Sequence, residues 1–128
     1  MLPSQFAKIL KLNKFLLQKN LEVTYFRLFS EKINIENVTT YYQIANIFNF
    51  SELDKQTLSY IRRLFNIVFE TKNFLELDFN LVAKVISSFE LNIDSELEVL
   101  LAVKSWVGHD KEQRKKFANV LYQKIVLI

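Results

Sequence analysis

Apolar side chains recur along this chain at intervals of three and four residues, the spacing that keeps one stripe of an α-helix turned toward a core. Between residues 95 and 107, Leu97, Leu100 and Leu101 form one apolar face, and Val99, Ala102, Val103 and Trp106 form a second. Polar residues keep only a narrow strip, so the pattern predicts a central helix buried on two sides. The stretch 4–18 is one-sided: Lys8, Lys11 and Lys14 stand opposite Phe6, Ile9, Leu10, Leu16 and Leu17. That helix is expected at the surface.

Boundaries follow from cap chemistry, because Ser, Asp and Asn oxygens satisfy the orphan N–H groups of a first turn. Candidate starts are Ser4 after Pro3, Asn37 before Val38, Ser51 with Asp54 three residues on, and Asp78 before Phe79. Ser95 with Glu98 has the spacing of a capping box, and Asp110 with Gln113 has an analogous one. Gly108 follows Trp106 and Val107, where a left-handed residue commonly ends a helix. These signals predict helices over 4–18, 21–32, 38–49, 52–65, 66–72, 79–88, 95–107 and 110–126. Short connections imply antiparallel neighbours. The expected fold is an all-α array of short antiparallel helix pairs with Trp106, Leu97, Leu100, Leu101, Phe74 and Leu77 in its core.

Composition strengthens this reading. The chain has one Gly and one Pro in 128 residues, whereas hairpins and sandwiches draw on both for their turns. No repeat or linker divides it, so one domain with a real core is expected. Its 17 basic and 14 acidic residues are interspersed, and the net charge of +3 is mild. That is not the footprint of a dedicated nucleic-acid binder. With no Cys, disulfides, thiolate metal sites and a Cys nucleophile are excluded, and an intracellular, cytoplasmic location is expected. No apolar run reaches the ~20 residues of a membrane span, and the Met1 end shows no signal segment. The apolar close Ile125-Val126-Leu127-Ile128 predicts something to pack on, as in a natural protein that continues.

Catalysis draws on a tunable base, an activated nucleophile, a metal or a phosphate cradle. One His cannot build a His-based metal cluster, and one Gly cannot build a phosphate loop. No catalytic residue, metal or cofactor is therefore expected. His109 is read as a turn residue bonding the last carbonyls of helix 95–107, rather than as a base beside Asp110. Glu96 and Glu98 serve the cap and dipole of that helix. Lys111, Arg114, Lys115 and Lys116 spread around a helix that also carries Glu112, which reads as a solvated face. Most of the 12 Phe and 5 Tyr sit at core spacing.

From Phe74 to Arg114 the chain resembles a known module. Phe74-Leu75-Glu76-Leu77, then Leu81, then Ser87-Ser88-Phe89-Glu90-Leu91-Asn92-Ile93-Asp94-Ser95-Glu96, then Val99, Ala102, Trp106, Asp110 and Arg114 run in the order and spacing of a BACK domain. Phe89 departs from the pattern, standing where an acidic residue is usual. Asn37-Val38, Ile44-Ala45, Leu53, Ile61 and Phe65 are similar to the 3-box, the helix pair between BTB and BACK. Residues 7–36, with Phe15-Leu16-Leu17-Gln18, Leu21 and Leu28-Phe29, resemble the closing helices of a BTB domain, with Tyr25 replacing a frequent Cys. The resemblance thus divides the chain into 1–36 (BTB end), 37–65 (3-box-like) and 66–128 (BACK-like), forming one continuous unit.

Members of the BTB-BACK-Kelch (kelch-like) family act as substrate adaptors of cullin-3 ubiquitin ligases. BTB and 3-box grip the cullin, the Kelch propeller holds the substrate, and BACK spaces them. The resemblance implies a non-catalytic, monomeric scaffold segment whose cullin surface is the 3-box groove near Val38, Tyr41, Tyr42, Ala45 and Phe48. It implies no sheet of the BTB domain and no propeller within this chain, as in an interior fragment or natural truncation, and the ubiquitination substrate stays unknown. Two other readings stay open, the first again implied by the resemblance and the second drawn from the residues. One is a BACK-type interaction domain that binds no cullin. The other is a weak nucleic-acid binder using Lys8, Lys11, Lys14 and Lys19 or the 111–116 cluster, whose affinity would fall steeply with salt.

Overall fold

A computed structural model describes residues 3–88 and 93–126 as eight helices. They are α1 (Pro3–Ser30), α2 (Val38–Phe48), α3 (Ser51–Arg63), α4 (Phe65–Val68), α5 (Lys72–Leu75), α6 (Phe79–Ser87), α7 (Ile93–His109) and α8 (Lys111–Val126). No strand occurs among the described residues. The all-α expectation stands. Residues Phe89–Asn92 of the BACK-like motif and the terminal Leu127 and Ile128 lie outside the described residues.

Several boundaries differ from expectation for identifiable reasons. Helices expected over 4–18 and 21–32 are one, because Lys19-Asn20 contains no breaker and the Thr24 hydroxyl donates back to the Asn20 carbonyl within the helix. Ser4 therefore lies inside α1. The segment expected over 66–72 is instead two short turns, α4 and α5. Thr71 caps α5 by accepting from the Phe74 N–H at 3.3 Å. Asp78 caps α6 as expected, accepting from Leu81 N–H at 3.0 Å. Asn37 precedes α2, but its Oδ1 accepts from Asn34 N–H instead of the first turn. Ser51 is the first residue of α3 rather than its cap. α7 begins at Ile93, two residues ahead of the Ser95 expected to cap it.

The left-handed helix end is also not where Gly108 suggested. It falls at Asn49 (φ 57°), whose N–H bonds the Ala45 carbonyl to close α2. Gly108 has no positive φ and lies inside α7, which runs on to His109. A Cβ built on Gly108 meets nothing within 4 Å. Gly108→Ala is therefore expected to stabilise the fold by roughly 0.5–1 kcal/mol, because a helical Gly costs that much in chain entropy. Thermal denaturation checks this. A lower melting temperature for the Ala variant would restore the left-handed cap.

α2 packs against α3 and α7 against α8 as the two main helix pairs, with α1 laid on α3 and α6 on α8. The principal core runs from Val38 and Tyr42 through Ile61, Phe65, Phe74 and Leu77 to Trp106, Leu121 and Ile125. In α7 only the face of Val99, Ala102, Val103 and Trp106 is buried. Leu97 and Leu101 remain 60% and 49% exposed, and Leu100 is half-buried. The expectation of a helix buried on two sides is thus corrected for Leu97 and Leu101. Periodicity marks both faces as apolar, but a neighbour covers only one. Among the described residues no helix is long and apolar enough to cross a membrane. No cluster of His, Asp and Glu among them could hold a metal.

Candidate partner-binding surface

The five residues nominated for a partner all sit on α2, which turns two different faces outward and inward. Val38, Tyr42 and Ala45, spaced by four and three residues, are buried completely or nearly so. The Tyr42 ring lies in the principal core, and its hydroxyl donates to the Leu81 carbonyl at 3.2 Å, joining α2 to α6. Burial pushes the phenol well above its ordinary pKa, helped by the negative charges of Asp54 and Asp78. It is a neutral hydrogen-bond donor at any physiological pH. Tyr41 and Phe48 lie on the accessible side, Tyr41 half-buried and Phe48 exposed, beside the 70% exposed Ile47. The structure therefore does not present the five side chains on one surface.

Tyr41 and Phe48 are the two ends of a chain of rings. Tyr41 stacks on Phe29 with centroids 4.5 Å apart, Phe29 on Tyr25 at 5.7 Å, Tyr25 on Phe50 at 5.3 Å, and Phe50 on Phe48 at 5.7 Å. Offset aromatic pairs contribute about 0.5–1.5 kcal/mol each beyond area burial. The series fastens α1 to the α2–α3 pair. The Gln18 side-chain amide adds a bond to the Phe48 carbonyl at 3.1 Å.

A carboxylate completes this dock. Glu22, buried in α1, accepts from the Ser51 hydroxyl at 3.0 Å and faces the Glu52 N–H at 3.5 Å, at the first turn of α3. Desolvation raises its pKa, but the bonds from Ser51 and Glu52 and the charge of Lys19 outweigh it and hold the carboxyl below its ordinary value. α3 thus takes its cap from another helix, where an anion also meets the positive end of the helix dipole. An open groove of about 370 Å³ lies over this junction, lined by Lys19, Glu22, Val23, Phe26, Arg27 and Ser51 with Glu52.

On the opposite side of α2, Lys84 of α6 bridges Asp54 of α3 at 2.6 Å and donates to Asn46 Oδ1 at 2.7 Å. Asn46 returns bonds to Asp54 and to the Tyr42 carbonyl. Sequence spacing gave no sign of this cluster, whose members lie up to 38 residues apart. The 111–116 cluster is likewise divided. Arg114, read from sequence as part of a solvated face, donates to the carbonyls of Leu75 (2.6 Å) and Trp106 (2.7 Å) and lies 4.2 Å from the Trp106 ring centroid. Lys111, Lys115 and Lys116 remain exposed, as does His109 at the end of α7. Glu96 and Glu98 lie half-buried in the first turns of the same helix.

Leu75, Leu77, Trp106 and Arg114 thus form one clasp. The Trp106 indole N–H donates to the Leu77 carbonyl at 2.8 Å, and Arg114 closes over the ring toward Leu75. Residues 38–127 match the family model described as BACK: BTB And C-terminal Kelch. The chain belongs to the BACK family. Among similar curated proteins, Kelch repeat and BTB domain-containing protein 3 of Homo sapiens is 31% identical over 97 residues, covering 76% of this chain and 16% of that protein. Kelch-like protein 11 of Homo sapiens is 27% identical over 93 residues (73% and 13%), and Kelch-like protein 13 of Bos taurus 33% over 93 residues (73% and 14%). The chain spans only 13 to 16% of the length of these relatives. The Phe74-Leu75-Glu76-Leu77 segment and the Trp106–Arg114 pair thus meet as the two sides of one clasp.

Proposed function

We propose that this BACK domain is the non-catalytic spacer of a substrate adaptor for a cullin-3 ubiquitin ligase, working inside the cell. The carrying observation is the family match over 38–127, in a chain whose relatives are named for BTB and Kelch segments. Helices pinned by the Trp106–Arg114 clasp, the Asp54–Lys84 bridge and the ring series make a stiff body, which is what a spacer between ligase and substrate needs. In this proposal 1–36 closes a BTB domain, 37–65 acts as the 3-box, 66–128 is the spacer, and a Kelch region holds the substrate. The cullin contact falls on Tyr41 and Phe48, because Val38, Tyr42 and Ala45 have no accessible side-chain surface and only support them.

Calorimetric titration with an N-terminal cullin-3 fragment tests this. The chain alone is expected to bind weakly or not at all, since affinity depends on preorganised anchors and the BTB half of the site is missing. The chain preceded by a BTB domain is expected to bind, and Phe48→Ala in it to weaken binding by at least ~1 kcal/mol if the ring is an anchor. A folded BTB-containing protein with no binding at high concentration would leave the alternative, an interaction domain that engages no cullin. The burial of three of the five nominated residues favours that alternative. Nucleic-acid binding by the 111–116 cluster loses support, because Arg114 is spent on backbone carbonyls.

A further inference from the structure

A polar cleft of about 350 Å³ runs along α3 beside the end of α1, lined by Ser30, Ile33, Gln56, Ser59, Tyr60 and Arg63. Neither Tyr41 nor Phe48 lines it. Ile33 and Tyr60 pack against the principal core, so part of the wall is fixed before anything binds.

Two polar groups of the cleft lack the partners their chemistry calls for. The Gln56 Oε1 is buried and has no hydrogen bond among the described residues, although buried polar atoms are nearly always paired. Its form sets the partner's chemistry. A side-chain amide and a peptide unit can exchange two hydrogen bonds, N–H to Oε1 and Nε2–H to carbonyl, and the pairing works for either orientation of the amide.

Arg63 is the second group. It lies two helical turns beyond Gln56 on the same side of α3 and is exposed. Its guanidinium carbon sits 5.3 Å from the Tyr60 ring centroid, and no ion pair among the described residues includes it. Stacking on a ring fixes the plane of the guanidinium and leaves its edge N–H groups for a carboxylate. The sequence neighbours of the lining residues favour an acid as well: Lys32, Lys55 and Arg62 stand there against Glu31.

The spacing of the two groups suits an extended chain. Gln56 and Arg63 are about 10 Å apart along the helix axis, which a strand covers in about three residues at 3.3 Å each. A phosphate group answers only the Arg63 end. We propose that this cleft binds an extended acidic peptide of a partner protein, with a peptide unit paired to Gln56 and an Asp or Glu carboxylate about three residues away held by Arg63.

The probe is a set of capped octapeptides of alternating Thr and Val with one Glu stepped along them, titrated into the isotope-labelled chain and followed by NMR. At least one is expected to bind with a Kd of about 1 mM or below and to shift the signals of Gln56, Ser59, Tyr60 and Arg63. Exchanging its Glu for Gln should weaken binding about tenfold, and Arg63→Gln in the protein should do the same. Arg63→Lys should cost about threefold, keeping the charge without the fork. Gln56→Leu removes the unpaired atom, so it should weaken binding about fivefold with the melting temperature unchanged or raised. No shift at these residues with any peptide up to about 5 mM would overturn the proposal. So would equal binding of the Glu and Gln peptides, or full affinity in Gln56→Leu. Inorganic phosphate shifting the same signals as strongly as the best peptide would assign the cleft to a free anion instead.

Discussion

Trp106→Ala is expected to lower the melting temperature by about 10–20 °C, the shift that ~3–5 kcal/mol produces in a domain of this size. The indole is 1% exposed, and its loss leaves a large cavity between α7, α8 and the loop before α6. It also strands the Leu77 carbonyl, which accepts the indole N–H, and removes the ring beneath the Arg114 guanidinium. Arg114 keeps its carbonyl partners only if the backbone around Leu75 holds still. Thermal denaturation followed by circular dichroism measures the effect. A melting temperature unchanged within error would refute the placement of Trp106 at the centre of the clasp.

Tyr42→Ala is expected to be almost as damaging, costing ~3–5 kcal/mol, and its consequence is loss of fold rather than selective loss of a partner. The ring is fully buried among residues of α2, α3 and α6. Tyr42→Phe separates the two contributions. It keeps the ring but leaves the Leu81 carbonyl without its donor, a loss of about 1 kcal/mol. Urea denaturation of both variants gives the comparison. If Tyr42→Ala were as stable as the parent, Tyr42 would return to the partner surface beside Tyr41 and Phe48.

Most of the fold was legible because it is written in local chemistry. Asp78 sits where a cap is needed and caps α6, and the sparse Gly and Pro correctly exclude a turn-rich sheet fold. Phe74, Leu77 and Trp106 are in the core as their spacing and the family resemblance predict. Leu97 and Leu101 were misjudged because periodicity reports which faces are apolar and not which of them a neighbour covers. Gly108 was misjudged because a glycine near a helix end permits a left-handed residue without requiring one, and Asn49 supplied it for α2 instead.

The candidate surface was less legible. Adjacent tyrosines on a helix point about 100° apart, so Tyr41 and Tyr42 could not both face a partner, and sequence alone did not say which one would. Glu22 capping α3, Lys84 reaching Asp54 and Arg114 closing on Trp106 are all pairings between distant helices.

The dock between α1 and the α2–α3 pair has a mechanical consequence. It grips only the second half of the helix, through Gln18, Glu22, Tyr25, Phe26 and Phe29. The remaining length is a lever with its fulcrum at these contacts. A tilt of about 10° at the fulcrum sweeps the far tip through about 4 Å, given a free length of about 22 Å. The direction of that tip is therefore set by five side chains, and replacing one ring of the stack with a smaller one would redirect it from a distance.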